Sequence, residues 1–133
     1  MRARSSRTAT WMAALFLTAS ATGCVAAAAA GAAGAVYATT RGVESLVNGS
    51  IDEVATRAQA VMREMGITLE GSSTDDGGAR REFRGKQGDL DVTVQLRQQD
   101  TATTKVEVYA RKNLAEWDKD YARQVLERIV QRS

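Results

Sequence analysis

Two runs of strict alternation constrain the fold of this chain more than any other feature. Leu90, Val92, Val94 and Leu96 are apolar, and Asp91, Thr93, Gln95 and Arg97 between them are polar. Thr104, Val106, Val108 and Ala110 repeat the pattern against Lys105, Glu107, Tyr109 and Arg111. A period of two sends successive side chains to opposite faces of a strand, so each run is half buried and half wet. A short connection between two such runs pairs them antiparallel. The sheet they build must cover one face and leave the other to water.

The covering elements are legible as helices. Ser50-Ile51-Asp52-Glu53 is a capping box, in which the Ser50 hydroxyl takes the Glu53 amide proton and the Glu53 carboxylate takes that of Ser50. Ile51, Val54, Ala55, Ala58, Val61, Met62 and Met65 then recur at three- and four-residue steps, which predicts an amphipathic helix over 51–65. Gly66 is its stop. A second helix is expected to start between Ala115 and Asp118 and to run to Val130, burying Ala122, Val125, Leu126, Ile129 and Val130. Leu114 and Trp117 stand at its approach, where they are expected to plug the end of the core.

Weaker alternations complete the sheet. Val43, Ser45 and Val47 read as a strand ending at Asn48-Gly49, and Ile67 and Leu69 as another. Asp75-Asp76-Gly77-Gly78 is a turn, Arg81, Phe83 and Gly85 alternate, and Gln87-Gly88 turns the chain into the first strong run. The expected order is β-α-β-β-β-β-α. The fold class is α+β: a two-layer sandwich of a four- to five-stranded antiparallel sheet with both helices on one face. Strand order stays open, because the first strand can pair at either edge of the meander.

The N-terminal segment has a different character. Arg2, Arg4 and Arg7 precede the apolar block Trp11-Met12-Ala13-Ala14-Leu15-Phe16-Leu17, and Ala19 to Gly23 are small or polar up to Cys24, the sole cysteine. A basic start, a short apolar core and a small-residue site make an export signal. Thr22-Gly23-Cys24 reads as a lipobox, cut between Gly23 and Cys24, with Ala21 where a branched apolar residue is usual. Ala19-Ser20-Ala21 is equally an A-x-A site that would release a soluble product, and an uncleaved anchor is the third reading. Secreted proteins mostly pair their thiols. A diacylglyceryl thioether and an N-acyl chain on Cys24 would account for a lone exported cysteine, and two or more chains hold a protein stably on a bilayer.

Three segments follow: a lipoprotein signal over 1–23, an Ala/Gly-rich tether over 24–41 and one α+β domain over 42–133. The tether spans on the order of 20–25 Å whether helical or flexible. Ala27, Gly31 and Ala35 within it are spaced like a small-residue packing seam. The whole chain has 18 Lys+Arg against 16 Asp+Glu. Removing Arg2, Arg4 and Arg7 with the signal turns that excess slightly acidic, so a nucleic-acid partner loses its compositional support.

The chain contains no histidine. With the one thiol lipidated, Ser-His-Asp and Cys-His catalysis and histidine zinc sites are excluded. Asp75 and Asp76 read as turn residues, Asp89 and Asp91 as strand-start solvation, and Glu116, Asp118 and Asp120 as helix-capping acids. No enzymatic activity, metal or cofactor beyond the lipid is expected. The wet sheet face is the remaining candidate. Arg80, Arg84, Lys86, Arg97, Lys105 and Arg111 are expected to point outward there, among Glu82, Asp91 and Glu107 and around Tyr109. Such a face suits an acidic envelope protein or an anionic envelope component; it also suits an ordinary solvated sheet with cross-strand charge pairs.

Taken in order, Cys24, the stretch Gly31-Ala32-Ala33-Gly34-Ala35-Val36-Tyr37, the capped helix from Ser50-Ile51-Asp52-Glu53-Val54 and its Met65-Gly66-Ile67 exit resemble a family of small bacterial lipoproteins of unknown function. The resemblance implies a β-α-β-β-β-β-α domain and a lipid-anchored location, and transfers no active-site residues. Val25 after the cysteine, in place of Asp, implies the periplasmic face of the outer membrane rather than the inner membrane. The expected role is binding or assembly at the envelope, with two alternatives: a freely secreted module cut after Ala21, or a structural protein oligomerising through the Ala/Gly segment.

Overall fold

The computed structural model of the chain describes residues 34–132. The signal segment, the Gly23–Cys24 cleavage site, Cys24 itself and the tether up to residue 33 lie outside the described residues. From Gly34 onward the elements are strand β1 (Tyr37–Ala38), β2 (Val43–Asn48), helix α1 (Ile51–Glu64), β3 (Thr68–Asp75), a short 3-10 turn (Asp76–Gly78), β4 (Arg80–Gln87), β5 (Leu90–Gln98), β6 (Thr103–Arg111) and helix α2 (Lys119–Gln131). The fold is the expected α+β sandwich with one strand more than the sequence pattern suggests. That strand, β1, has two residues, too few for any alternation to register.

α1 begins where its capping box places it. Ser50 Oγ accepts from the Glu53 amide at 3.3 Å and Glu53 Oε2 accepts from the Ser50 amide at 2.8 Å. The backbone bond from Ser50, followed by the one from its side chain, holds the Glu53 carboxyl below its ordinary value. Gly66 ends the helix with φ of 71°, in the left-handed region that favours glycine. α2 is capped by Asp118, whose carboxylate accepts from the Tyr121 amide at 2.8 Å. The stripes of the two helices, Val54, Ala58, Val61 and Met62 on one and Ala122, Val125, Leu126 and Ile129 on the other, are buried with Val92, Val94, Leu96, Val106, Val108 and Ala110 in a single core. Each fully buried branched or long apolar side chain there stabilises the fold by about 1.5–3 kcal/mol relative to exposure.

The strand order is β1-β2-β6-β5-β4-β3, antiparallel throughout. β2 therefore joins the outer edge of β6, with Val43 opposite Val108 and Val47 opposite Thr104. Burial explains the choice between the two edges of the meander. Val43, Ser45 and Val47 are all buried and need a covered neighbour, which β6 and α2 provide. β3 at the opposite edge is exposed along nearly its whole length. Thr104, buried beside this seam, donates its hydroxyl to the Gly49 carbonyl at 3.0 Å.

Close approach decides one glycine in the sheet. A Cβ on Gly85 would lie 2.6 Å from the Thr68 carbonyl oxygen and 2.8 Å from Ile67 Cγ2. Its absence lets β3 and the exit of α1 press onto β4. Arg81, on the covered face of β4, reaches out of the core to pair with Asp52 in the first turn of α1. Residues 34–41, expected as the end of the tether, also pack on the domain. The Gly34 amide donates to the Leu46 carbonyl at 2.7 Å, Tyr37 pairs with Glu44, and Val36 rests against the core.

Candidate functional site

The pleat sends every residue of the expected cationic set to the face away from the helices, and the register sorts them into rows. Arg80, Arg97 and Lys105 are successive cross-strand partners. The next row holds Glu82, Gln95, Glu107 and Glu44, and the one after it Arg84, Thr93 and Tyr109. Lys86, Asp91 and Arg111 form the last.

The cations are mostly partnered within this lattice. Lys105 Nζ sits 2.9 Å from Glu44 Oε2 and 2.9 Å from Glu107 Oε1. Arg84 pairs with Glu82. Arg111, at 3.3 Å, and Lys86, at 3.8 Å, share Asp91. Arg80 turns to Asp76 at 3.5 Å. Among the described residues only Arg97 of the six lacks a carboxylate within ion-pair distance. The face is a mosaic of alternating charge rather than a uniform basic sheet. Glu44, which belongs to β2, explains much of the difference, because nothing local in the sequence places it beside Lys105.

The central residues titrate as a network. Hydrogen bonds to Glu44 and then Glu107 raise the Lys105 ammonium above its ordinary value. Burial pushes the Glu107 carboxyl up, but bonds from Lys105 and Tyr109 outweigh it and leave the group below the usual carboxylate range. Tyr109 donates its hydroxyl to Glu107 Oε2 at 3.0 Å. Burial, then this bond and the Glu107 charge, push its pKa up to about 12. Tyr109 is therefore a hydrogen-bond donor at neutral pH.

Trp117 is the residue that turns this face into a hollow, and it lies on the opposite side of the sheet from its expected place. Asn113 Oδ1 accepts from the Ala115 and Glu116 amides, each at 3.0 Å, and folds the loop after β6 back on itself. Trp117 then bridges antiparallel to Arg111, and the Asp118 amide donates to the Ala110 carbonyl at 2.8 Å. The indole swings over the wet face and meets Tyr109 edge on, with ring centroids 6.2 Å apart and planes at 66°. Leu114, expected to plug the core, is 93% exposed. The loop's own hydrogen bonds, rather than the apolarity of its side chains, decide the matter.

Arg41 arrives from the other side. The turn from β1 is closed by the Gly42 amide on Thr39 Oγ1 at 3.0 Å, and the Arg41 guanidinium lies 5.9 Å from the Trp117 ring. Gly42 is required here by contact. A Cβ would fall 2.1 Å from the Val108 carbonyl oxygen and 2.9 Å from Tyr109 Cδ1. Together these groups enclose an open basin of about 450 Å³, walled by Arg41, Tyr109 and Trp117 and floored by Arg84, Glu82, Asp91, Thr93, Gln95 and Arg111.

Sequence reasoning found Arg84, Arg111 and Tyr109 from their alternation and missed Arg41, Glu44 and Trp117 as parts of the face. The Asn113-to-Glu116 turn chemistry is the one local signal that could have turned Trp117 outward. Arg80, Arg97 and Lys105 lie along the same face but do not line the basin. The basin offers hydrogen-bond donors, acceptors and aromatic surface. Among the described residues there is no group of His, Cys, Asp and Glu arranged to hold a metal ion. No helix among them is long and apolar enough to cross a membrane.

The chain belongs to the family described as protein of unknown function (DUF3568), whose family model matches residues 8–130. The matched stretch takes in the apolar run, Cys24 and the folded domain together. No curated protein matches the chain.

Proposed function

We propose that this member of the DUF3568 family is a lipid-anchored protein of the bacterial envelope with a small binding or assembly domain and no catalytic activity. The signal over 1–23 is removed, diacylglyceryl and N-acyl chains on Cys24 hold the protein at the periplasmic face of the outer membrane, and the domain meets an envelope component there. The observation that carries the binding role is the basin between Arg41, Tyr109 and Trp117, in which side chains from three strands and two loops converge on one solvent-facing hollow. The anchoring rests on the order of residues before Cys24, and the family match running unbroken from that segment into the domain supports it. A binding role also agrees with a histidine-free chain whose one thiol is taken by lipid.

Cys24→Ala tests the anchor. The expected result is loss of palmitate labelling and movement of the protein from membrane to soluble fractions. An unmodified Thr22 at the mature N-terminus, read by mass spectrometry, would overturn the anchor in favour of a secreted module cut after Ala21. Crosslinking in intact cells tests the face. Arg41→Glu and Arg111→Glu together should remove crosslinks to the envelope partner, and unchanged crosslinks would refute the binding role.

A further inference from the structure

We infer that the basin over β4, β5 and β6 binds an acidic saccharide, with the sugar ring against the Trp117–Tyr109 corner and its carboxylate on Arg41. The inference deepens the binding role proposed above and rests on it. Its first support is the composition of the floor. Arg84 spends its Nε–H on Glu82, and Glu82 Oε2 also accepts from Gln95 Nε2 at 2.7 Å. Arg111 gives one Nη2–H to Asp91 at 3.3 Å. A guanidinium carries five donors, so each arginine is oriented by its neighbour and keeps most of its fork for a ligand.

The two floor carboxylates select among anions. Inorganic phosphate and the clustered carboxylates of an acidic peptide carry more negative charge per volume and would meet Glu82 and Asp91 as repulsion. A saccharide hydroxyl both donates and accepts, so it can use the carboxylates and the guanidiniums side by side. Arg41 is the cation left over. It is exposed, its guanidinium lies beside the Trp117 ring, and among the described residues it has no carboxylate within ion-pair distance. One such cation matches one carboxylate per ring rather than a densely charged ligand.

The walls agree. Two aromatic rings meeting at 66° form an apolar corner, and the electron-rich ring faces attract the polarised C–H groups of a pyranose. At about 450 Å³ the basin has the size of a small-ligand site, for which the usual range is about 300–1,000 Å³. It lies open along the sheet, which suits a segment of a chain running through rather than an enclosed monomer.

Isothermal titration calorimetry on the full chain in detergent tests the inference, with trigalacturonate, its carboxyl-reduced neutral counterpart, inorganic phosphate and a glutamate-rich peptide as probes. Trigalacturonate should bind, and the neutral sugar should bind roughly 10- to 100-fold more weakly, as expected for loss of a charged hydrogen bond. Arg41→Gln should weaken trigalacturonate to the same degree and Trp117→Ala by roughly tenfold, while Arg128→Gln on α2 leaves it unchanged. Arg41 is exposed, so its variant keeps the fold even if Trp117→Ala disturbs it. Equal binding of the neutral sugar, or indifference to Arg41→Gln, overturns the inference. Binding of the peptide or phosphate in preference to trigalacturonate also overturns it and leaves the binding face standing. Failure of every probe overturns it as well, and the binding face falls with it only if the envelope crosslinks survive the Arg41 and Arg111 reversals.

Discussion

Replacing Lys105 by methionine should expose how much the wet face of the sheet depends on a single cation. Glu44 and Glu107 are direct cross-strand partners on β2 and β6, a placement that is unfavourable for like charges. Lys105 Nζ bridges them at 2.9 Å to each, and the three side chains are 23–31% exposed. Methionine keeps the apolar stem and removes the ammonium. Two carboxylates about 5 Å apart repel by about 3 kcal/mol at an effective dielectric constant near 20, and by less as solvent and salt screen them. With the repulsion screened to about 1 kcal/mol, and the two lost ion pairs worth roughly 0.2–1 kcal/mol each at such partly exposed sites, the expected destabilisation at pH 7 is about 2 kcal/mol.

The pH dependence is the sharper readout. In the native chain the Glu107 carboxyl is held below its ordinary value of 4.5, so its contribution is present above that value and is lost as pH falls through the lowered one. In the variant the repulsion reverses the direction. One carboxylate should titrate above its unfolded value, and the penalty should shrink as pH falls from 7 towards 4. Urea unfolding of both proteins at a series of pH values measures this directly. Adding Glu44→Gln to the variant should restore most of the stability at pH 7. A penalty that is constant across the series, or that Glu44→Gln fails to relieve, would refute the argument that the register forces these two carboxylates together.

Two further predictions concern packing and alkaline stability. Gly85→Ala should cost about 1–3 kcal/mol in urea unfolding, because the new methyl would lie 2.6 Å from a backbone oxygen of β3 that cannot move away alone. Raised values for Lys105 and Tyr109 mean that stability present below pH 10 is lost as pH rises towards 12. Tyr109→Phe should flatten part of that fall, as measured by thermal melts between pH 9 and 11.5, without changing the position of the melt at pH 7 by more than a few degrees.

What was legible from residue order alone was whatever depends on neighbours in sequence. The period-two runs in β5 and β6 assign each side chain to a face whatever the partner strand, so Arg97, Lys105 and Arg111 could be sent outward without knowing the topology, and the weaker alternation of β4 did the same for Arg84 and Lys86. The capping box and its apolar stripe define α1 for the same reason, since each requirement is met within four residues. Asp118 supplies the start of α2 in the same local way.

Pairing and sidedness needed the folded chain. β2 could join either edge, and the covered seam beside β6 and α2 takes it because Val43, Ser45 and Val47 must all be buried. That choice brings Glu44 to Lys105 across sixty residues of chain and converts a basic row into a charge-balanced one. It also carries Arg41 to the rim, where Trp117 arrives from beyond β6. An aromatic side chain reads as core until the hydrogen bonds of its loop are known. Here the turn at Asn113 puts the indole over water-facing residues and makes a hollow that no local pattern contains. Faces follow from the geometry of one strand, whereas a site requires several strands to choose their neighbours.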